Sequence, residues 1–168
     1  MIINFRDLTA KGHEVHFREN LNVSELLKAS REIVTHGLLE VDLYAKSVSG
    51  VTEVKGRLTL PLEMVCARCL DTTQQMLSFP FDEVFTQKSE LIPKDEPNEI
   101  HLVSEDKLEL TPYVEETVSL ALPYIPLCNE TCKGLCPVCG QNLNEHSCAC
   151  KQEKQDPRLA GLADFFKE

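Results

Sequence analysis

Cations are scarce in this sequence. Lys and Arg number 17 against 27 Asp and Glu, a formal charge of −10 over 168 residues. That balance excludes a simple basic wrapper of nucleic acid, because neutralising phosphates requires a surplus of positive charge. No stretch reaches the roughly 20 consecutive apolar residues that a membrane-spanning helix needs. The opening residues Met1–Asp7 lack the long apolar run of a signal peptide, so the expected location is cytoplasmic. There is no G-x-x-x-x-G-K-[ST] and no G-x-G-x-x-G, the glycine patterns that cradle phosphates. No internal repeat of useful length is present. His13, His16, His36 and His101 are scattered and read as surface or strand residues rather than bases.

What the chain does have is cysteine. It is long enough for one domain with a small appended module, 42% of its residues are apolar, and 8 are Cys. In a reducing compartment, clustered Cys reads as metal ligation or redox chemistry before it reads as disulfides. Cys66 and Cys69 form a C-x2-C pair in mid-chain. The other six follow as Cys128, Cys132, Cys136, Cys139, Cys148 and Cys150. Eight thiols make two sets of four, and four thiolates complete a tetrahedral shell for Zn2+.

The hydrophobic pattern places these cysteines. Val15 and Phe17 mark a first strand, and the early part of the chain reads as mostly strand. Ser24–Ala29 resembles a short helix with Ser24 as its N-cap. Leu39, Val41 and Leu43 alternate with polar residues as in a half-buried strand. Gly50 punctuates, and a weaker alternation follows from Val51. Leu58, Leu60, Leu62 and Met64 then share one face of a strand that runs into Cys66. Met76–Phe85 reads as the returning strand, with Pro80 implying an edge or a bulge. Cys66–Cys69 would thus be the tip of a β-hairpin. Ser89–Asn98 reads as a solvated loop and Glu99–Val103 as a short strand. Thr111-Pro112 predicts a helix start, with Thr111 as N-cap and Val114, Val118, Ala121 and Leu122 as the apolar stripe. Asp156-Pro157 predicts a short terminal helix presenting Leu159, Leu162 and Phe166. The expected fold is α+β: a β-rich antiparallel sheet or open barrel with two or three short helices and zinc knuckles. The expected organisation is a β-rich core over 1–127, a Cys-rich zinc-binding module over 128–150, and a linker with a short helix over 151–168.

Cys136-Pro137-Val138-Cys139-Gly140 is the strongest local motif, because two thiolates two residues apart can meet one metal from a tight turn. Cys148 and Cys150 complete a small ribbon, with His146 as an alternative to one of them. Sulfur-only shells are typical of closed structural sites, which favours Cys. By exclusion the other set is Cys66, Cys69, Cys128 and Cys132, a staple between elements about sixty positions apart in sequence. The alternative pairs Cys66 and Cys69 with Cys136 and Cys139 and leaves a set of poorer geometry. A single metallated set with spare thiols is a further alternative. Redox catalysis is disfavoured because the strand–motif–helix context of a catalytic C-x-x-C is missing. Arg68 and Lys133 stand where a phosphate or acidic partner could be met, although cations beside thiolate clusters also simply relieve negative charge.

Cys66-Ala67-Arg68-Cys69-Leu70 after a strand, Ala121-Leu122-Pro123, the run from Cys128 through Cys132-Lys133-Gly134-Leu135-Cys136-Pro137-Val138-Cys139-Gly140-Gln141-Asn142-Leu143-Asn144, and Asp156-Pro157-Arg158 together resemble the YceD family. The resemblance spans most of the chain and is densest from about Arg57 to Phe166. It implies a bacterial ribosome-biogenesis factor that supports accumulation of 23S rRNA and large-subunit assembly. The implied partners are a large-subunit ribosomal protein, 23S rRNA or its precursor, with no small-molecule substrate and no membrane. It implies no catalytic residue, so the expected role is non-enzymatic. The rival readings are a thiol redox or rRNA-processing enzyme and a generic zinc-ribbon interaction module.

Overall fold

The computed structural model describes residues 1–11, 14–92 and 100–150 of the chain, without the side chains of 9–11. The expected terminal helix, His13 and the later part of the expected Ser89–Asn98 loop lie outside the described residues.

The backbone is dominated by one hairpin. Strand β5 (Val51–Val65) pairs antiparallel with β6 (Thr72–Thr86) in unbroken register, from Val51 opposite Thr86 to Val65 opposite Thr72. The weak alternation after Gly50 and the stronger one before Cys66 therefore belong to one strand. Its even-numbered residues point inward throughout: Val54, Leu58, Leu60, Leu62 and Met64 are all buried. The pattern looks interrupted in sequence because Gly56 has no side chain to mark its face. A Cβ at Gly56 would fall 2.0 Å from the carbonyl oxygen of Asp42, so only glycine permits the close approach of the neighbouring strand.

That neighbour is β4 (Leu39–Val48), whose Leu39, Val41, Leu43 and Ala45 are buried while the intervening residues face outward. The β4–β5 turn is Ser49-Gly50, with positive φ at both residues, as a two-residue type I′ turn requires. Strand β2 (Val15–Leu21) flanks β4, giving the antiparallel order β2-β4-β5-β6. Strand β3 (Ile33–His36) pairs with β5 beyond the end of β4, and β7 (His101–Leu102) adds to β6 in parallel. Pro80 sits in β6 with no bulge. It lies well away from Phe85 and Thr86, where β7 pairs, so its missing N–H faces an edge that is unpaired among the described residues.

Three short helices close the core. Helix α1 (Phe5–Lys11) follows β1 (Ile2–Asn4), which pairs with β8 (Lys107–Glu109) in a separate two-stranded sheet. The expectation of mostly strand in the early chain missed α1, because seven residues give only Phe5 and Leu8 as a periodic signal. Helix α2 (Ser24–Leu27) begins at Ser24 rather than after it. Ser24 donates its backbone N–H to Asn22 Oδ1 at 2.9 Å, so Ser24 is not the N-cap. Helix α3 (Thr111–Ala121) likewise starts at Thr111. The Thr111 hydroxyl accepts a hydrogen bond from the amino group of Met1 at 3.4 Å instead of capping the helix. Val114 and Val118 are buried; Ala121 and Leu122 are half-buried. Phe85 packs edge-to-face on Tyr113 at 4.9 Å and stacks on His101 at 5.2 Å, so β6, β7 and α3 meet at one aromatic cluster. No helix among the described residues is long and apolar enough to cross a membrane.

Candidate metal centre

Two sulfur clusters stand at and beyond the far end of the β5–β6 hairpin. The chain between Val65 and Thr72 turns tightly: Cys66 donates its N–H to Asp71 O at 2.9 Å, and Leu70 donates to Cys66 O at 3.0 Å with Leu70 at φ +62°. This turn aims Cys66 and Cys69 the same way. The segment leaving α3 is pinned alongside, with Ala67 N–H donating to Pro126 O at 2.8 Å and Gln75 Nε2 to Leu127 O at 2.9 Å. That delivers Cys128. An Asx turn follows, in which Asn129 Oδ1 accepts from Thr131 N–H at 2.9 Å, and Cys132 closes it by donating to Asn129 O at 3.0 Å.

The sulfurs of Cys66, Cys69, Cys128 and Cys132 lie within 4.8 Å of one another, an arrangement that could hold a metal ion. Cys66 Sγ is 3.8 Å from Cys132 Sγ, and Cys69 Sγ is 3.6 Å from Cys128 Sγ. Cys66, Cys69 and Cys132 are buried under Leu127 and Leu135, in a small cluster separate from the main core, while Cys128 is exposed. Cys136, Cys139, Cys148 and Cys150 form the second such set. Only Cys136 of that set is buried. The C-x2-C turn is closed by Gly140 N–H on Cys136 O at 2.8 Å, with Gly140 at φ +74°. Both sets are the ones favoured by spacing; the swapped pairing is not assembled. His146 is in neither set, and its backbone N–H is held by Asn142 O at 3.1 Å.

The electrostatics divide each set. Burial pushes the Cys66 thiol up, yet the N–H groups of Cys69, Cys128 and Arg68 outweigh it and hold the thiol down at about 6. Cys69 moves upward: the N–H of Asp71 favours its thiolate, but burial and the sulfur of Cys66 prevail. Cys132 is lowered, first by the Asn144 amide, which donates to its sulfur at 3.3 Å. Cys136 is held at about 6 by the N–H groups of Cys139 and Val138, while the Cys139 sulfur and burial push Cys150 up to about 12. Thiolates this close repel one another, and a cation among them would relieve that repulsion.

Arg68 and Lys133 are placed differently. The Arg68 guanidinium donates to Cys132 O at 2.9 Å and Glu130 O at 3.4 Å, so it ties the hairpin tip to the loop between the cysteines. Lys133 is exposed, and its backbone N–H donates to Asn144 Oδ1 at 2.8 Å. The sequence assigns no site role to Asn142, Asn144 or Asp71, although the first two lie in the run that resembles the family. The available signal was the Asn-Leu-Asn run after Gly140, a spacing suited to an Asx turn.

The model of a family described as Large ribosomal RNA subunit accumulation protein YceD matches residues 54–166, a span that includes both sulfur sets. The chain belongs to that family. The chain is 32% identical to the uncharacterized protein Rv2926c of Mycobacterium tuberculosis over 130 residues, which is 77% of this chain and 62% of that protein. It thus spans about three-fifths of the length of that relative. The uncharacterized protein YlbN of Bacillus subtilis is 29% identical over 160 residues, covering 90% of this chain and 88% of that protein. An Arabidopsis thaliana protein, named as a chloroplastic YCED homolog of the large ribosomal RNA subunit accumulation protein, is 32% identical over 75 residues, 44% of this chain and 23% of that protein. No solved structure matches the chain.

Proposed function

We propose that this YceD-family chain is a non-enzymatic, cytoplasmic factor in biogenesis of the large ribosomal subunit that supports accumulation of 23S rRNA. The observation that carries the reading is the family match over 54–166. In this proposal Cys66, Cys69, Cys128 and Cys132 hold one Zn2+, and Cys136, Cys139, Cys148 and Cys150 hold a second. Around a tetrahedral zinc with Zn–S bonds of about 2.3 Å, the sulfurs stand about 3.8 Å apart. The separations of 3.8 and 3.6 Å in the first set fit that figure. When bound, zinc would supply a closed structural clasp rather than an open coordination position. The protein's own part is to favour the thiolates of Cys66 and Cys136 with backbone N–H groups and that of Cys132 with the Asn144 amide, and to keep the clasp fixed at the tip of the long hairpin.

The partner is a basic ribosomal protein of the large subunit. The net charge of −10 supports this choice, because an acidic surface complements a Lys- and Arg-rich client and opposes phosphates. The test is affinity purification from cells, with and without exhaustive RNase treatment. Retention of a large-subunit protein after RNase is the expected result. Disappearance of every ribosomal component with the RNA would replace the protein client by direct rRNA binding. Metal-to-protein stoichiometry on the purified chain tests the zinc assignment, with two per chain expected.

A further inference from the structure

We propose that the two sulfur clusters, a proximal set of Cys66, Cys69, Cys128 and Cys132 and a distal set of Cys136, Cys139, Cys148 and Cys150, are energetically coupled through the Asn142–Asn144 turn, and that Asn144 is the positioning residue through which metal in the distal set tightens metal in the proximal set. The inference rests on the metal assignment above.

The Asn144 amide is fully engaged. Nδ2 donates to Cys132 Sγ at 3.3 Å and to Asn142 Oδ1 at 2.9 Å, while Oδ1 accepts the N–H of Lys133 at 2.8 Å. These contacts fix the orientation of the amide. Flipping it would turn a lone pair toward the sulfur and an N–H toward the N–H of Lys133. A proximal-set sulfur therefore takes a hydrogen bond from a side chain that lies in the distal segment, 12 residues further along the chain.

Asn142 makes a second bridge. Its Nδ2 donates to Asp71 Oδ2 at 2.7 Å, and Asp71 O is the acceptor that closes the Cys66 turn. The Asn142–Asn144 turn thus touches the proximal centre from two sides, at Cys132 and at the base of the hairpin tip. Its other boundary is the distal centre. Cys136 N–H donates to Gln141 O at 2.8 Å, Leu143 N–H donates to Gly134 O at 2.9 Å, and Cys148 and Cys150 follow at once in sequence. The segment from Gln141 to Cys150 contains no helix and no strand beyond the single bridge of Leu135 with Asn142. Apart from these turn bonds, the distal sulfurs are what fix its far end. Releasing that end leaves the turn held only from the proximal side, by its bonds to Lys133, Gly134 and Asp71, and loosens the donor on Cys132.

Outer partners of metal ligands commonly change metal affinity 10- to 100-fold, and coupling between two sites is reciprocal. The geometry gives two consequences. The proximal set should hold its metal about tenfold more tightly when the distal set is filled. Removing the Asn144 donor should reproduce the loss with all eight cysteines in place.

The experiment measures zinc release from the full-length chain to an excess of a chromogenic chelator. Four proteins are compared: the native chain, Cys148→Ser/Cys150→Ser, Asn144→Ala, and Glu145→Ala as an exposed control in the same turn. The double variant, expected to hold one zinc, identifies the proximal phase. Expected results are a proximal phase about tenfold faster in the double variant and in Asn144→Ala, and unchanged in Glu145→Ala. Co2+ loading gives a second readout, because loss of a donor to Cys132 shifts the sulfur-to-cobalt charge-transfer band in Asn144→Ala. If the native chain holds two zincs and Asn144→Ala releases them at native rates with an unmoved cobalt spectrum, the coupling is overturned. If the native chain holds no zinc, the metal assignment itself falls and the coupling with it. Should the double variant fail to fold, Cys139→Ser, at an exposed member of the distal set, takes its place.

Discussion

Leu135 donates its backbone N–H to the carbonyl oxygen of Arg68 at 3.1 Å, across 67 residues of sequence. The contact is possible because Gly134 precedes it at φ +74°, and a Cβ there would fall 2.9 Å from that same oxygen. The hairpin tip and the Cys-rich ribbon therefore touch backbone to backbone. The Arg68 side chain reinforces the join by reaching Cys132 O and Glu130 O.

Arg68→Ala should destabilise the fold by about 1–2 kcal/mol, the worth of two hydrogen bonds from a charged donor at a partly exposed site. Lys133→Ala, with its ammonium group in solvent, should stay within about 0.5 kcal/mol of the native chain. Urea denaturation of the two variants checks the contrast. If Lys133 contacts a partner, its replacement lowers retention in the RNase-treated pull-down while leaving the melt unchanged.

Cys69→Ala should lower unfolding free energy far more than Cys150→Ala, by about 3 kcal/mol or more against about 1–2. Cys69 belongs to a set that ties the hairpin to the chain after α3, whereas Cys150 belongs to a local ribbon. Thermal melts of both variants with zinc present test this. Equal losses would mean that the proximal set is not the long-range staple.

Metal removal should loosen the end of the chain without melting the sheet. The sulfur cluster and its Leu127 and Leu135 neighbours are separate from the main core, to which β4, β5, β6, the helices and the β1–β8 pair all contribute. After chelation, far-UV circular dichroism should keep its strand signal while trypsin cuts rapidly after the exposed Lys133. Re-addition of zinc should restore resistance. Collapse of the strand signal together with the cut would show that the sheet depends on the metal.

Gly56→Ala should destabilise by about 1–3 kcal/mol, the usual result of overpacking, since the added methyl meets the backbone of Asp42 and Leu43, which cannot give way as the nearby Leu43 side chain can. The midpoint of a urea titration reports it. A neutral result would mean that β4 and β5 can separate locally at little expense.

Phe85→Ala should be costly and Tyr124→Ser should not. Phe85 is fully buried against Tyr113 and His101, so its loss should cost about 3–5 kcal/mol. Tyr124 is 96% exposed, so its replacement should change stability by less than about 0.5 kcal/mol. Equilibrium unfolding of the pair measures both.

The sheet was readable wherever one face is apolar and the other polar. Leu39, Val41 and Leu43, and then Leu58 through Met64, announce their strands because alternation persists over several residues. It was unreadable where that signal is short or missing. Thr72–Gln75 begin β6 with four polar residues whose pairing is dictated by β5 opposite, not by their own composition. β1, β8 and α1 are too brief to show a period. Ser24 and Thr111 look like N-caps by residue type, but Asn22 and the Met1 amino group claim their hydrogen-bonding capacity. Spacing favoured this cysteine grouping over the swapped one, because a ribbon needs nearby thiols and leaves the distant ones to each other, but it took the fold to bring the sulfurs together. Asn144 was not, because its role depends on a sulfur brought near by the fold of another segment.

The uninterrupted hairpin gives the molecule the form of a spar. Fifteen residues in β5, at about 3.3 Å each, place the Ser49-Gly50 bend and the Cys66 turn roughly 45 Å apart. Neighbours seated at opposite ends would sit too far apart to collide, and each could come or go without disturbing the other. One continuous ladder nevertheless joins the two ends, from Val51 opposite Thr86 to Val65 opposite Thr72.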